Sequence, residues 1–457
     1  MEINELVEAQ RQYFYSGKTF PVKERIKTLK KIREILFASR QELNEAFMKD
    51  YNKGEFDVIA TEFYMVISEI DYMLKHLKRM ARPKRVHTSI MNFPAHGMLF
   101  QEPYGVVLIV SPWNYPLQLT LSPMIGAIGA GNTVVVKPSN YSPNVASCMA
   151  KMFSVFPQEY ISFVLGGREQ NQQLFEQTFD YIFFTGGYVV GTLLMEKAAA
   201  HLTPISLELG GKSPAIVDED ANIDDAAKRL AWGKFLNAGQ TCVAPDHFIV
   251  HEKVYDEFVE DLIKWVKKFY YVDGKLSPTF CHVINDKHVV RLTGLIQKEK
   301  LVWGGKCEGR ALEPTIMTNS TFDDPAMQEE IFGPVLPIIK FNDLDKLLEE
   351  QLRRPKPLAF YYFSKDGAKA KRVMARMPYG GGCINDTIMH MTSDTTPFGG
   401  VGRSGMGSYH GKKTFETFSH QKAVLVKGHA ELPLKFPPYS NFNLNMLKIV
   451  SHIKKGQ

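Results

Sequence analysis

Residues 105–116 read GVVLIVSPWNYP. The first half holds five apolar residues in a row, VVLIV (106–110), with no polar residue interleaved. A strand with one face in water alternates apolar and polar residues, whereas a strand covered on both faces does not. The pattern repeats downstream in TVVVK (133–137), YISFVL (160–165), YIFFT (181–185) and PISLEL (204–209). Stretches of helical character lie between these runs, among them SPNVASCMAKMF and YVVGTLLMEKAAAHL. Alternation of this kind predicts a parallel sheet with helices on both faces. Right-handed crossovers make such a sheet doubly wound and put ligands beyond the carboxyl ends of its strands.

A second alternation begins near residue 214. It runs through PAIVD, the helical DDAAKRLAWGKFLNA, HFIVH, the helical VYDEFVEDLIKWVKKFY, and then LPIIKF, LAFYYFS and AKRVMARM to about residue 382. The expected fold class is therefore α/β, with two doubly wound α/β domains. On the other side, residues 1–80 read as helices, with apolar positions at intervals of three and four in IKTLKKIREILFA. Pro83 closes them, and residues 84–104 read as irregular, broken by Pro94, Gly97 and Pro103. A basic, proline-containing tail fills residues 432–457.

The chain has 457 residues, enough for about three domains. Its 44% hydrophobic and 23% charged residues suit a globular protein with its own core. The five cysteines, Cys148, Cys242, Cys281, Cys307 and Cys383, include no CxxC pair. That argues against a disulfide scaffold and a thiolate zinc site, and no metal is expected. The formal charge of +6 is spread among acids, as in KERIKTLKKIREIL (23–36), so no nucleic-acid partner is expected. MEINELVEAQ does not resemble a leader, and no run of about 18 apolar residues occurs. A soluble, cytoplasmic protein with reduced thiols is the expectation.

Two phosphate-binding patterns fail on context. Gly400, Gly402 and Gly405 form GxGxxG but follow no apolar strand, so they read as a glycine turn. Gly211, Lys212 and Ser213 could end a phosphate loop, yet Ser206 occupies the position that needs glycine. Three other segments survive. GQTCVAPD (239–246) places Cys242 just after a helix ends at Asn237–Ala238–Gly239, where backbone N–H groups are free. Such groups can lower a thiol pKa, although a lone cysteine is also an ordinary small hydrophobe. LELGGKSP (207–214) puts Glu208 at a strand end, as a general base or as a structural acid. SPWNYP puts Asn114 after another strand, as an oxyanion donor or as an Asx-turn residue before Pro116.

The order PWNYP, KPS, FTG, ELGGKSP, a cysteine 34 residues beyond Glu208 (242 − 208), EEIFGP and PFGG resembles the aldehyde dehydrogenase superfamily along essentially the whole chain. The IND-x-x-MH string at 384–390 and the PPYS near the C-terminus look most like class 3 (fatty or aromatic aldehyde) dehydrogenases. The resemblance implies that Cys242 is the nucleophile, that Asn114 and the Cys242 N–H hold the oxyanion, and that Glu208 activates the deacylating water. It implies a cofactor, NAD or NADP, held by Lys137 and Ser139 at the adenosine ribose. Thr185, Gly186 and Gly187 would lie under the pyrophosphate, and Glu330 and Phe332 at the nicotinamide end. It further implies an aldehyde substrate of medium or long aliphatic chain, or aromatic, with Tyr115, Met389 and His390 as candidate pocket residues.

By the same resemblance, residues 1–80 and 105–209 form the cofactor-binding domain and 210–421 the catalytic domain. Residues 81–104 and 422–440 form a small β bridging element that joins a homodimer, and 441–457 is a basic tail. Two positions depart from the family pattern. Asn140 replaces the glutamate usual after KPS, which removes repulsion toward a 2′-phosphate and makes NADP use plausible beside NAD. Gly187 stands where Ser or Asn is common, and Tyr188 follows it. In the tail, Met446, Leu447, Val450 and Ile453 make an apolar stripe beside Lys448, Lys454 and Lys455, which suggests a weak peripheral membrane contact. The competing readings are a CoA-acylating or other semialdehyde dehydrogenase, a cofactor-free thiol esterase, or an inactive binding protein.

Overall fold

The computed structural model describes residues 1–89, 92–430 and 435–451. Two large sheets carry the molecule. The first has six strands in the order Gly405–Met406, Ile205–Glu208, Tyr181–Thr185, Val106–Val110, Thr133–Lys137 and Ile161–Phe163. All its pairings are parallel except that of Gly405–Met406. Val106–Val110 is buried at every position, as its unbroken apolar run requires. The second sheet has seven strands, with Val335–Phe341, His247–His251, Pro214–Val217 and Ala359–Phe363 at its centre, all parallel.

The helix Gln118–Ala130 follows SPWNYP and is buried all round. Its glycines admit neighbours that a side chain would displace. A Cβ at Gly126 would come within 2.0 Å of the Thr414 side chain, and one at Gly129 within 2.9 Å of the Met73 sulfur. The helix stops at Gly131, whose φ of +105° belongs to the left-handed region and whose N–H bonds back to Ala127 and Ile128.

Two expectations need correction. Residues 84–104 are not irregular: Lys84–Val86 and His96–Pro103 are strands, and with Ser419–Val426 they make a three-stranded antiparallel sheet. The pairing partner lies over 300 residues downstream, so no local pattern announces it. Residues 405–418, counted with the catalytic half, lie against the first sheet. Gly405 pairs with Glu208, and the Phe418 carbonyl accepts a hydrogen bond from Asn132 at 3.0 Å. The GxGxxG segment is a turn, closed by a bridge between Gly402 and Gly405. At Gly405 a Cβ would lie 2.1 Å from the Leu207 carbonyl oxygen, so glycine lets this segment join the strand that carries Glu208.

Candidate active site

Parallel pairing aligns strand ends. Lys137, Thr185 and Glu208 are the last residues of three strands, and Asn114 lies four residues beyond Val110. All four therefore lie along the carboxyl edge of the first sheet. The second sheet presents its opposite edge: Cys242 precedes the strand His247–His251, and Glu330 and Phe332 precede Val335–Phe341. A cavity of about 280 Å³ lies between the two edges. Asn114, Thr185, Gly186, Gly187, Glu208, Cys242, Glu330 and Phe332 all line it.

Cys242 is partly open to the cavity but deep in the protein. Burial pushes its thiol up to about 12, with the nearby Glu330 and Glu208 carboxylates adding to the effect. The backbone N–H groups of Val243 and Cys242 pull the other way. The donors expected after the helix end are thus present, but burial and two carboxylates outweigh them. This corrects the expectation of a site that lowers the thiol pKa. Glu208 is 2% exposed, and neither carboxylate oxygen has a hydrogen-bond partner among the described residues. Burial raises its proton affinity well above the ordinary carboxylate value.

Glu330 reaches over Gly210, where a Cβ would lie 2.1 Å from its Oε2, which is why that position is glycine. Burial and Asp246 push its carboxyl up to about 8, against the hydrogen bond from the Gly211 N–H. The loop that carries it is anchored: Lys212 Nζ bonds Asp246 Oδ2, the Ala326 carbonyl at 2.8 Å and the Glu329 carbonyl at 2.9 Å. Asp246 Oδ1 accepts the Ile331 N–H at 2.8 Å. Lys212 therefore fixes a loop, in place of the phosphate role tested above. Phe332 has φ +49°, a costly value for a bulky residue, and its ring meets Trp113 edge-on at 5.3 Å. Thr185 Oγ1 is buried and lacks a partner among the described residues, so it can bond a ligand. A Cβ on Gly187, the N-cap of the helix Tyr188–Ala199, would have no neighbour within 4 Å. Orphaned hydroxyl, open glycine turn and helix N-terminus together fit a dinucleotide pyrophosphate.

Lys137, Ser139 and Asn140 lie farther along the same edge, outside the cavity. Lys137 Nζ donates to the Pro138 carbonyl at 2.8 Å and the Gly166 carbonyl at 2.7 Å, and burial lowers its pKa to about 8. Only one of its three N–H groups remains for a phosphate. Ser139 Oγ accepts the Tyr141 N–H at 3.2 Å, and Asn140 is exposed.

The three pocket candidates do not line this cavity. Tyr115 is 7% exposed, its hydroxyl pairs with Thr241 at 2.7 Å, and Lys53 Nζ lies 4.4 Å from its ring centre. Those contacts make it a wall residue behind the site. His390 Nδ1 meets Cys383 Sγ at 3.5 Å, and burial lowers its pKa to about 4. Met389 is exposed in the adjoining short helix Met389–Thr392.

Trp113, His288 and Arg291 line the cavity without having been singled out. Trp113 adjoins Asn114 and could have been flagged by that neighbourhood. His288 and Arg291 sit one turn apart on the helix Asp286–Thr293, in a pattern typical of a solvated helix face. Arg291 donates to the Ile331 carbonyl at 2.6 Å, reinforcing the Glu330 loop.

Residues 1–424 match the family model described as the aldehyde dehydrogenase family. The chain is 42% identical over 435 residues to a 4,4′-diaponeurosporen-aldehyde dehydrogenase of Staphylococcus aureus, covering 94% of this chain and 95% of that protein. It is 40% identical over 443 residues to a dimeric NADP-preferring aldehyde dehydrogenase of Canis lupus familiaris, covering 96% and 98%. A solved structure of the substrate-bound state of Staphylococcus aureus AldH superposes with a TM-score of 0.96 at 41% identity, covering 98% of this chain and 99% of that one.

Proposed function

The chain belongs to the aldehyde dehydrogenase family, and from that premise we propose that Cys242, Glu208 and Asn114 carry its chemistry. The enzyme is an NAD(P)-dependent oxidoreductase that oxidises aldehydes. The observation that carries the assignment is convergence: the three residues come from two different sheets yet line one cavity beside Thr185, Glu330 and Phe332.

Cys242 Sγ attacks the aldehyde carbon, and the thiol proton passes to Glu208, whose burial raises its proton affinity. The Asn114 amide and the Cys242 backbone N–H donate to the oxygen of the resulting thiohemiacetal, a contribution of about 3–4 kcal/mol. A bound oxidised nicotinamide would supply the hydride acceptor, leaving a thioester on Cys242. Glu208 gives that first proton up to solvent, takes another from water as the water oxygen attacks the thioester carbon, and returns it to Cys242 Sγ as the acid leaves, restoring the thiol. Thr185 and the Gly186–Gly187 turn would hold the pyrophosphate. Glu330 and Phe332 would position the nicotinamide end, and Lys137, Ser139 and Asn140 would meet the adenosine ribose.

The substrate proposed is an aliphatic aldehyde of medium or long chain, or an aromatic one. Asn140 places no negative charge beside the ribose, so the site admits NADP as well as NAD. Residues 1–80, 105–209 and 405–418 serve as the cofactor-binding domain and 210–404 as the catalytic domain. The three-stranded sheet of Lys84–Val86, His96–Pro103 and Ser419–Val426 joins a homodimer, and the enzyme is cytoplasmic. A weak membrane contact is proposed for the C-terminal helix Asn441–Val450, where Phe442 and Ile449 are 64% and 67% exposed. Of the proposed stripe, Ile453, with Lys454 and Lys455, lies outside the described residues, as does the Val450 side chain. Among the described residues no helix is long and apolar enough to cross a membrane. Against a CoA-acylating enzyme stands Glu208, a base that thiol transfer does not need. Absorbance at 340 nm, with hexanal or benzaldehyde and each oxidised cofactor, tests the reading. Reduced cofactor without added CoA is expected, and turnover that requires CoA would overturn it.

A further inference from the structure

Asn114 and Cys242 ride on loops from two different sheets, and oxyanion stabilisation demands that they meet within a fraction of an ångström. One side chain spans both loops. Asn237 Nδ2 donates to the Asn114 carbonyl at 3.0 Å and to the Gln240 carbonyl at 3.2 Å, two residues before Cys242. Its Oδ1 accepts from Cys281 Sγ at 3.3 Å, which fixes which way the amide faces. Gln240 in turn bonds the Asn237 carbonyl at 3.1 Å, the His282 carbonyl at 3.0 Å and the Ile284 N–H at 2.9 Å. The backbone supports the same geometry: Asn237 (φ +54°), Ala238 (φ +53°) and Gly239 (φ +72°) are consecutive left-handed residues. Asparagine tolerates that conformation better than most side chains. Asn237 is 5% exposed and does not line the cavity.

We propose that Asn237 is a positioning residue, which sets the Asn114 amide against Cys242 by tying the oxyanion loop to the nucleophile loop. The inference rests on the assignment of Asn114 and Cys242 made above. Two variants test it. Asn237→Gly keeps the left-handed turn and removes both tethers. Asn237→Asp keeps the size, loses both N–H donors and sets a carboxylate against two carbonyl oxygens. For hexanal oxidation, kcat is expected to fall at least about tenfold in each. The aldehyde KM, and the NADPH dissociation constant read by fluorescence, stay within about twofold.

The decisive readout is a cycle with Asn114→Ala. If Asn237 acts through Asn114, adding Asn237→Gly to Asn114→Ala changes kcat by less than about twofold. Losses that multiply in the double variant, or an Asn237→Gly enzyme within about twofold of the parent, would overturn the inference. Asn237→Asp is read in the same way if the glycine variant does not fold. An Asn114→Ala enzyme with unchanged kcat would instead remove the oxyanion assignment itself, and this inference with it.

Discussion

Replacing Glu208 by glutamine changes one charge at the last residue of the strand Ile205–Glu208 and leaves the shape of the site intact. In the structure this carboxylate is buried, lacks hydrogen-bond partners among the described residues and holds its proton unusually well. Its proposed indispensable task, activating the deacylating water, comes after hydride transfer. General-base catalysis contributes about 10²–10⁴ in rate. The expected loss in kcat is of that size, about 3–5 kcal/mol, while the first turnover slows by less than about tenfold.

Stopped-flow absorbance at 340 nm would then show a burst of one reduced cofactor per active site, followed by a slow steady state. A parallel effect appears in stability. The folded enzyme holds the Glu208 proton more tightly than the unfolded chain, so wild-type stability falls as pH rises above about 4.3 toward the folded value. Glutamine does not titrate, so the melting advantage of Glu208→Gln should grow from about pH 4 upward. A variant with unchanged kcat, or one whose first turnover is slowed as much as its steady state, would refute deacylation as the step Glu208 serves.

Three further outcomes follow from the same geometry. With the Cys242 thiol pushed up to about 12, inactivation by iodoacetamide without cofactor should climb about tenfold per pH unit from 7 to 9. Glu208→Gln should raise that rate, and a plateau below pH 8 would contradict the direction of the shift. Asn140→Glu should lower the NADP-to-NAD ratio of kcat/KM by about tenfold or more through repulsion of the 2′-phosphate, and an unchanged ratio would exclude Asn140 as a determinant. Lys53→Met strands Glu62, which is fully buried and caps the helix after Asn114 through the Leu117 and Gln118 N–H groups. Denaturant unfolding should show a loss of about 3–5 kcal/mol, and a loss below about 1 kcal/mol would show that the pair is not needed.

The central strands could be read from residues 106–251 because burial on both faces leaves apolar residues dominant in them. Glu208, Asn114 and Cys242 could be placed because strand ends, and the loops beside them, are where α/β sheets present ligand groups. What escaped depends on contacts between distant segments. His96–Pro103 becomes a strand only beside Ser419–Val426, and its mixed residues carry no period of their own. The site around Cys242 raises its pKa because Glu208 and Glu330 converge on it from 34 and 88 residues away in sequence (242 − 208 and 330 − 242). Tyr115 adjoins Asn114 in sequence, but loops carry no rule for side-chain direction, and its ring turned to Lys53 and Thr241. His288 and Arg291 belong to the site only because their helix packs beside the Glu330 loop.

In the proposed reaction, aldehyde carbon becomes bonded to Cys242 before it leaves as acid. Mixing Glu208→Gln enzyme with hexanal and oxidised cofactor, quenching in acid after the burst and mapping peptides by mass spectrometry tests it directly. One acyl group per chain is expected, on the peptide GQTCVAPD and on Cys242, in the amount of the burst. A burst with no acyl adduct, or an adduct on another cysteine, would contradict it.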